Sequence, residues 1–214
     1  MKRISGKTIG RLSLYRRVLY GLLAEGERNL FSHQLATLVG STAAQVRRDM
    51  MAVGYTGSPT RGYDIHELTE SIGHFLDEPE GQGVALVGVG NLGRAILAYF
   101  SGRRPKLTIE AAFDKDPAKV NRVIHGCRCY PLEEAASVVR ERRILIGIVT
   151  VPAEHAQGVA DKLCQAGVYG LVNFAPVRLW TPANVYVEDI DMTMSLEKVA
   201  FFARERAQEK KGIV

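Results

Sequence analysis

Gly88-Val89-Gly90-Asn91-Leu92-Gly93 has the spacing G-x-G-x-x-G, which suits a turn that holds phosphates. The first glycine allows a tight reversal, the second lets the backbone approach a pyrophosphate, and the third lets a following helix pack on the preceding strand. A helix opening there aims its free N–H groups and positive dipole end at the phosphates, so the main chain at Val89, Asn91 and Leu92 belongs to the site. Asp114, twenty-one residues past Gly93, stands where a carboxylate binds the adenosine ribose hydroxyls and repels a 2′-phosphate. That favours NAD over NADP. Its neighbour Lys115 is of the type that contacts such a phosphate. FAD and coenzyme A are the alternative ligands of a turn of this kind.

The surrounding pattern supplies the elements such a turn needs. Apolar runs predict buried parallel strands over 84–87, 107–113, 144–149, 171–174 and 185–187. Helical spacing fills the intervals 92–100, 132–142 and 154–166. This alternation predicts an α/β, Rossmann-type doubly wound parallel sheet over 83–191. Ligands of such sheets lie beyond the carboxyl ends of the strands. Thr150-Val151-Pro152 and Asn173-Phe174-Ala175-Pro176 fall at two such ends, placed to line the nicotinamide half of an NAD(H) site.

The first third of the chain is different in charge and in pattern. Residues 1–66 carry ten Lys/Arg against four Asp/Glu, or +6, and the remainder carries eighteen against nineteen, or −1. A small basic region attached to a near-neutral one points to a polyanionic partner for the former. Short helices are expected over 12–26, from Ser32 as N-cap to 39, and from Ser41 or Thr42 to 53, then a Gly/Pro-rich hairpin over 55–65. Three helices and a hairpin are the order of a winged helix-turn-helix, whose third helix enters the major groove of DNA. Thr42, Gln45, Arg47 and Arg48 cluster near the start of that helix, where Arg reads guanine and Gln reads adenine. Arg61 in the wing suits a phosphate or the minor groove. Residues 66–76 have helical spacing and 77–83 read as a polar hinge, so that 1–82 form a DNA-binding region and its connector.

Several function classes are disfavoured. No apolar stretch approaches the roughly 18–20 residues of a membrane span, and the N-terminal residues lack a signal peptide's apolar run. A cytoplasmic protein without a membrane partner is expected. Cys127, Cys129 and Cys164 read as free thiols, and no metal site is expected. The alternative function is an NAD-dependent oxidoreductase with a basic N-terminal extension. Against it, little chain follows the nucleotide-binding region, and no Ser-Tyr-Lys arrangement or His/Asp dyad is evident to move a proton. His155 reads as a residue of a helix's first turn.

Several blocks in order resemble the Rex family of redox-sensing transcriptional repressors along nearly the whole chain. They are Gln45-Val46-Arg47-Arg48-Asp49, residues 85–93, Phe113-Asp114-Lys115-Asp116-Pro117, Thr150-Val151-Pro152, Asn173-Phe174-Ala175-Pro176 and Val187-Glu188-Asp189-Ile190-Asp191. The resemblance implies a homodimer that binds palindromic operator DNA and leaves it when NADH binds. It also implies that residues 192–214 form a dimerisation segment, with a helix over 193–208 crossing to the partner subunit. Tyr99 is similar to a tyrosine near the nicotinamide ring, Asp191 to a carboxylate that changes contacts with nicotinamide redox state, and Arg17 to the arginine that pairs with it. The wing departs from the family. A Leu-Ser-Tyr-Phe-Gly run is replaced by Met50-Met51-Ala52-Val53-Gly54, and a Gly-Lys-Arg-Gly-Val-Gly-Tyr wing by the shorter Ser58-Pro59-Thr60-Arg61-Gly62-Tyr63.

Overall fold

A computed structural model describes residues 4–102 and 106–211, with side chains to residue 209. Residues 1–3, at the N-terminus read above as lacking a leader, and 212–214, the end of the expected dimerisation segment, lie outside the described residues. The chain divides into two compact units, Met1–Pro79 and Glu80–Val214.

The first unit holds α1 (Gly6–Ala24), β1 (Asn29–Leu30), α2 (Ser32–Val39), α3 (Ala43–Ala52), β2 (Tyr63–Asp64) and α4 (Ile65–Leu76). Ser5 caps α1, accepting the Thr8 N–H, so this helix starts six residues before the apolar spacing announces it. Ser32 is the first residue of α2 and Phe31 its N-cap, with the Gln34 side chain accepting the Phe31 N–H at 2.6 Å. Thr42 caps α3 as expected, accepting the Gln45 N–H at 3.1 Å. The wing is not a plain hairpin. Ser58 and Gly62 bridge its tip, while β2 pairs antiparallel with β1, a strand between α1 and α2 too short to be legible in the sequence.

The helix expected as a connector, α4, is part of this unit's core. Ile65, Leu68 and Ile72 are fully buried beside Leu12, Tyr15 and Leu19 of α1. Three such side chains on α4, at about 1.5–3 kcal/mol each for full burial, make it a structural support and not a linker. Arg16 is buried and gives both Asp77 oxygens an Nη1 hydrogen bond at 2.8 Å, fastening α1 to the end of α4.

The second unit holds β3 (Gln82–Val87), α5 (Asn91–Phe100), β4 (Leu107–Asp114), β5 (Val123–Ile124), β6 (Cys127–Pro131), a 3₁₀ turn (Leu132–Glu134), α6 (Ala135–Glu141), β7 (Ile146–Val149), α7 (Ala153–Ala166), β8 (Gly170–Asn173), β9 (Tyr186–Asp189) and α8 (Met192–Lys211). The sheet order is β5-β6-β4-β3-β7-β8-β9. Its pairs are parallel except β5 with β6. This is the doubly wound, Rossmann-type arrangement, with the order reversing at β3. The expectation omitted β5 and β6: Cys127-Arg128-Cys129 alternates buried and exposed residues, but Arg128 and Tyr130 broke the apolar run on which the other strands were recognised. Two apolar layers sandwich the sheet, one containing Val87, Phe113 and Leu163, the other Leu86, Leu97 and Cys129.

Candidate functional site

The turn after β3 is built by close approach. Gly88 has φ +100°, and a Cβ on it would lie 2.5 Å from the Thr150 carbonyl oxygen. A Cβ on Gly93 would lie 2.1 Å from the Gly88 carbonyl oxygen. Both positions therefore require glycine for folding. Gly90, the N-cap of α5, is different: an added Cβ would meet nothing within 4 Å. The protein's own packing does not demand glycine there. The space is instead open at a helix N-terminus, where a phosphate is favoured.

Thr150, at the end of β7, closes the turn from the other side. Its hydroxyl lies 3.0 Å from the Val87 carbonyl and 2.9 Å from that of Gly88. The resulting cleft, at the point where strand order reverses, is a cavity of about 430 Å³. Val87, Gly88, Gly90, Asp114, Lys115, Thr150, Val151 and Pro152 line it. Five of these eight, from Asp114 onward, come from segments well away from the glycine turn in sequence.

Asp114 is buried, and its carboxylate is engaged by the protein. Oδ2 accepts the Val89 N–H at 2.7 Å and the Lys119 ammonium at 3.1 Å, and Oδ1 accepts the Asp116 N–H at 2.9 Å. Burial pushes its pKa up, but the Asp116 N–H, Lys119 and the Val89 N–H outweigh that and hold it below the ordinary carboxylate range. An anion is thus fixed at the tip of β4, and it also holds the glycine turn through Val89.

Other expected residues lie elsewhere. Asn173 is buried, donating to the Val177 carbonyl and to Asp189, both at 2.8 Å, and accepting the Ala175 N–H at 3.0 Å. It organises the loop after β8, with Ala175 buried, Phe174 half-buried and Pro176 exposed. Tyr99 is 57% exposed, edge-on to Phe100, about 12 Å along α5 from Asn91. None of these lines the cavity, nor do Val89, Asn91, Leu92 and Gly93 present side chains to it. Lining residues that the motif reading missed are Lys119, Leu132, Glu154, Gly158, Val159 and Lys162; His155, weighed as a residue that could face the site and read as one of a helix's first turn, also lines it. The signal was available: 155, 158, 159 and 162 have one-face helical spacing directly after Pro152.

In the first unit, α3 presents Arg47 and Arg48 to solvent. Arg47 donates to the Ser32 hydroxyl at 3.0 Å and Arg48 to the Gln45 Oε1 at 2.7 Å. Gln45 in turn donates its amide to Asp49 Oδ1 at 2.9 Å. Asp49, which the sequence reading left without a role, is 2% exposed and also bonded by Arg11 and Tyr15. Exposed Arg61 sits in the wing, its N–H on the Ser58 hydroxyl. A cavity of about 400 Å³ lined by Ser32, Arg47, Met51 and Pro59 separates α3 from the wing. Arg17 is exposed on α1 beside the buried Arg16. Asp191 caps α8, its Oδ1 accepting the Met194 N–H at 2.8 Å.

Among the described residues no three His, Cys, Asp or Glu are grouped to hold a metal, and no helix is long and apolar enough to cross a membrane. The thiol pKa values of Cys127, Cys129 and Cys164 are all raised by burial.

A winged helix with a cationic third helix, joined in one chain to a Rossmann-type unit with an open glycine turn, defines a DNA-binding module coupled to a nucleotide-fold module. Residues 3–50 match a family described as "Putative DNA-binding protein N-terminus", and residues 80–177 one described as "CoA binding domain". The chain is 39% identical to the redox-sensing transcriptional repressor Rex of Carboxydothermus hydrogenoformans, covering 94% of this chain and 97% of that one. It is 37% identical to Rex 2 of Enterococcus faecalis, covering 94% of each. The crystal structure of RSP with β-NAD⁺ and operator DNA superposes with a TM-score of 0.89 at 30% identity, covering 99% and 97% of the two chains. RSP with β-NADH gives 0.85 at 29%, covering 99% of each. The chain belongs to the Rex family of redox-sensing transcriptional repressors.

Proposed function

We propose that this chain is a homodimeric repressor that binds palindromic operator DNA and releases it when NADH occupies the cleft beyond β3 and β7. The observation that carries the reading is the pairing, in one chain, of an open Gly90 turn with a cationic third helix, in a family whose members bear the name redox-sensing repressor. The nucleotide is a ligand to be measured, and the protein is a regulator and not an enzyme.

In this reading Gly88, Gly90 and Gly93, with the backbone of Val89, Asn91 and Leu92, hold the pyrophosphate. Asp114 and Lys115 face the adenosine ribose, and Thr150-Val151-Pro152 with 173–176 bound the nicotinamide side. Thr42, Gln45, Arg47 and Arg48 meet DNA in the major groove, and Arg61 meets its backbone. The fixed anion at Asp114 supports NAD(H) as the ligand. Arg17, Tyr99 and Asp191 form the switch: oxidised nicotinamide carries a positive charge and the reduced ring does not, so a nearby ion pair is biased by redox state. A coupling of about 1–3 kcal/mol changes operator affinity roughly 5–150-fold.

Helix α8 supports the dimer. Every side chain described in it is exposed, including Leu196, Val199, Phe201 and Phe202 at 46–69%. A helix with this much bare apolar surface is stable when a partner covers it, and in this reading the partner is the second subunit, into which α8 crosses.

Selection of duplexes from a random pool by the full-length protein tests the DNA half of the proposal. The expected product is a sequence with two-fold symmetry whose recovery drops when NADH is present. Recovery of no preferred sequence at moderate salt, together with hydride transfer from NADH to a carbonyl compound, would overturn it in favour of the oxidoreductase.

A further inference from the structure

Helix α3 turns two different faces outward and inward. Val46, Asp49 and Met50 are buried in the first unit. Ala44, Arg47, Arg48 and Met51 are all exposed and stand at i, i+3, i+4 and i+7, which places them on one face. That stripe has the spacing of the base-reading positions of a helix laid along the major groove. Its last member is out of character for a face of arginines. Met51 is 75% exposed, the most of any large hydrophobic side chain described. It lies outside the core, so folding does not account for its apolar character. It also borders the cavity between α3 and the wing, where Phe31 (38% exposed) and Pro59 extend the apolar rim. Among the described residues that line this cavity there is no carboxylate, and Arg47 is the one cation. Met51 stands where the family's Leu-Ser-Tyr-Phe-Gly run has serine. A hydroxyl that bonds to base edges is thus exchanged for a thioether whose reach is apolar.

We infer that Met51 reads a thymine of the operator through its 5-methyl group and is a specificity-determining residue of the DNA interface. That methyl is the apolar group which a base pair presents in the major groove. Methionine is unbranched and polarisable, and its three rotatable bonds let it adapt to such a target. Arg47 and Arg48 precede Met51 by about 6 Å and about 4.5 Å along the helix. Base pairs rise about 3.4 Å each, so the thymine falls one or two pairs from a guanine that either arginine reads. The inference rests on the reading of α3 as the DNA-facing helix and adds to it a base that the cationic residues do not specify.

Replacing single thymines by deoxyuridine in one half-site of a selected duplex tests it, with binding to the full-length protein followed by fluorescence anisotropy at fixed salt. Uracil keeps the hydrogen-bonding groups of thymine and lacks only the methyl. The expected result is one thymine per half-site whose replacement weakens wild type about fourfold, as burial of one methyl group implies. In Met51→Ser, which alters an exposed side chain and so leaves the fold intact, the same replacement should cost less than about twofold. An effect below about twofold at every thymine in wild type would overturn the inference. So would an effect that persists in Met51→Ser, above all one that Ala44→Ser abolishes, which would place the contact on Ala44. If a palindrome is selected and uracil is tolerated throughout, the inference alone fails. If no duplex is selected, the reading of α3 as DNA-facing fails with it.

Discussion

The Arg11 guanidinium clasps the Asp49 carboxylate with two hydrogen bonds, Nε to Oδ2 at 2.6 Å and Nη2 to Oδ1 at 2.8 Å. The clasp ties α1 to α3. Tyr15 adds its hydroxyl at 2.9 Å, and the remaining reach of the carboxylate holds the Gln45 amide. Gln45 then presents its oxygen to Arg48. A buried anion thus positions two side chains of the DNA-facing helix.

Breaking this cluster is costly because it strands a cation against the core. Asp49→Ala is expected to lower unfolding stability by about 2–4 kcal/mol and to weaken duplex binding beyond what the lost folded fraction explains. Urea unfolding followed by circular dichroism, with anisotropy on a selected duplex, checks both.

The same carboxylate makes stability pH-dependent. Burial raises the Asp49 pKa, but hydrogen bonds from Arg11, Tyr15 and Gln45 overcome this, leaving the group below its ordinary value of about 3.9. A depressed folded-state pKa contributes stability that is fully present above the ordinary carboxylate range and lost as pH falls through the folded-state value. The urea midpoint should hold from about pH 7 to 5 and fall below about pH 4, with a shallower fall in Asp49→Asn.

The three turn glycines should separate folding from binding. Gly93→Ala forces a Cβ to 2.1 Å from a carbonyl oxygen and is expected to cost more than about 2 kcal/mol, as overpacking against a rigid backbone does. Gly90→Ala meets open space and should cost about 1 kcal/mol or less, the ordinary penalty at an N-cap. Its nucleotide affinity should nevertheless drop tenfold or more. Thermal melts beside NADH titrations distinguish the two; a Gly90→Ala protein that binds NADH normally would remove the pyrophosphate from this turn.

Sequence legibility followed periodicity. The Rossmann-type sheet was readable from β3, β4, β7 and β8 because their apolar runs are continuous, and the glycine turn because three residues carry its geometry. Strands β1 and β2 are two residues each, below any periodic signal. Strand β6 is apolar only at alternate positions between charged and aromatic residues. The candidate cavity was half legible: Asp114, Lys115, Thr150, Val151 and Pro152 follow from strand ends, whereas Lys119 and Lys162 depend on how a loop and a helix face fold over the cleft. Asp49 was missed because a charged residue on a basic helix reads as solvated until Arg11 and Tyr15, more than thirty residues earlier, are seen against it.

Helix α8 offers a separate test of assembly. Leu196→Asp with Val199→Asp alters two exposed side chains, so a subunit folded without a partner would barely notice. If a second copy covers this face, light scattering after size exclusion should report a shift from dimer to monomer, and operator affinity should fall at least tenfold because two half-sites are no longer joined.

The most direct test is fluorescence anisotropy of the full-length protein on a selected palindromic duplex at fixed salt, titrated separately with NADH and NAD⁺. The account predicts that NADH weakens binding at least fivefold and that NAD⁺ has a much smaller effect, with the difference abolished in Asp191→Ala. Equal responses to both nucleotides, or full NADH-induced release in Asp191→Ala, would contradict it.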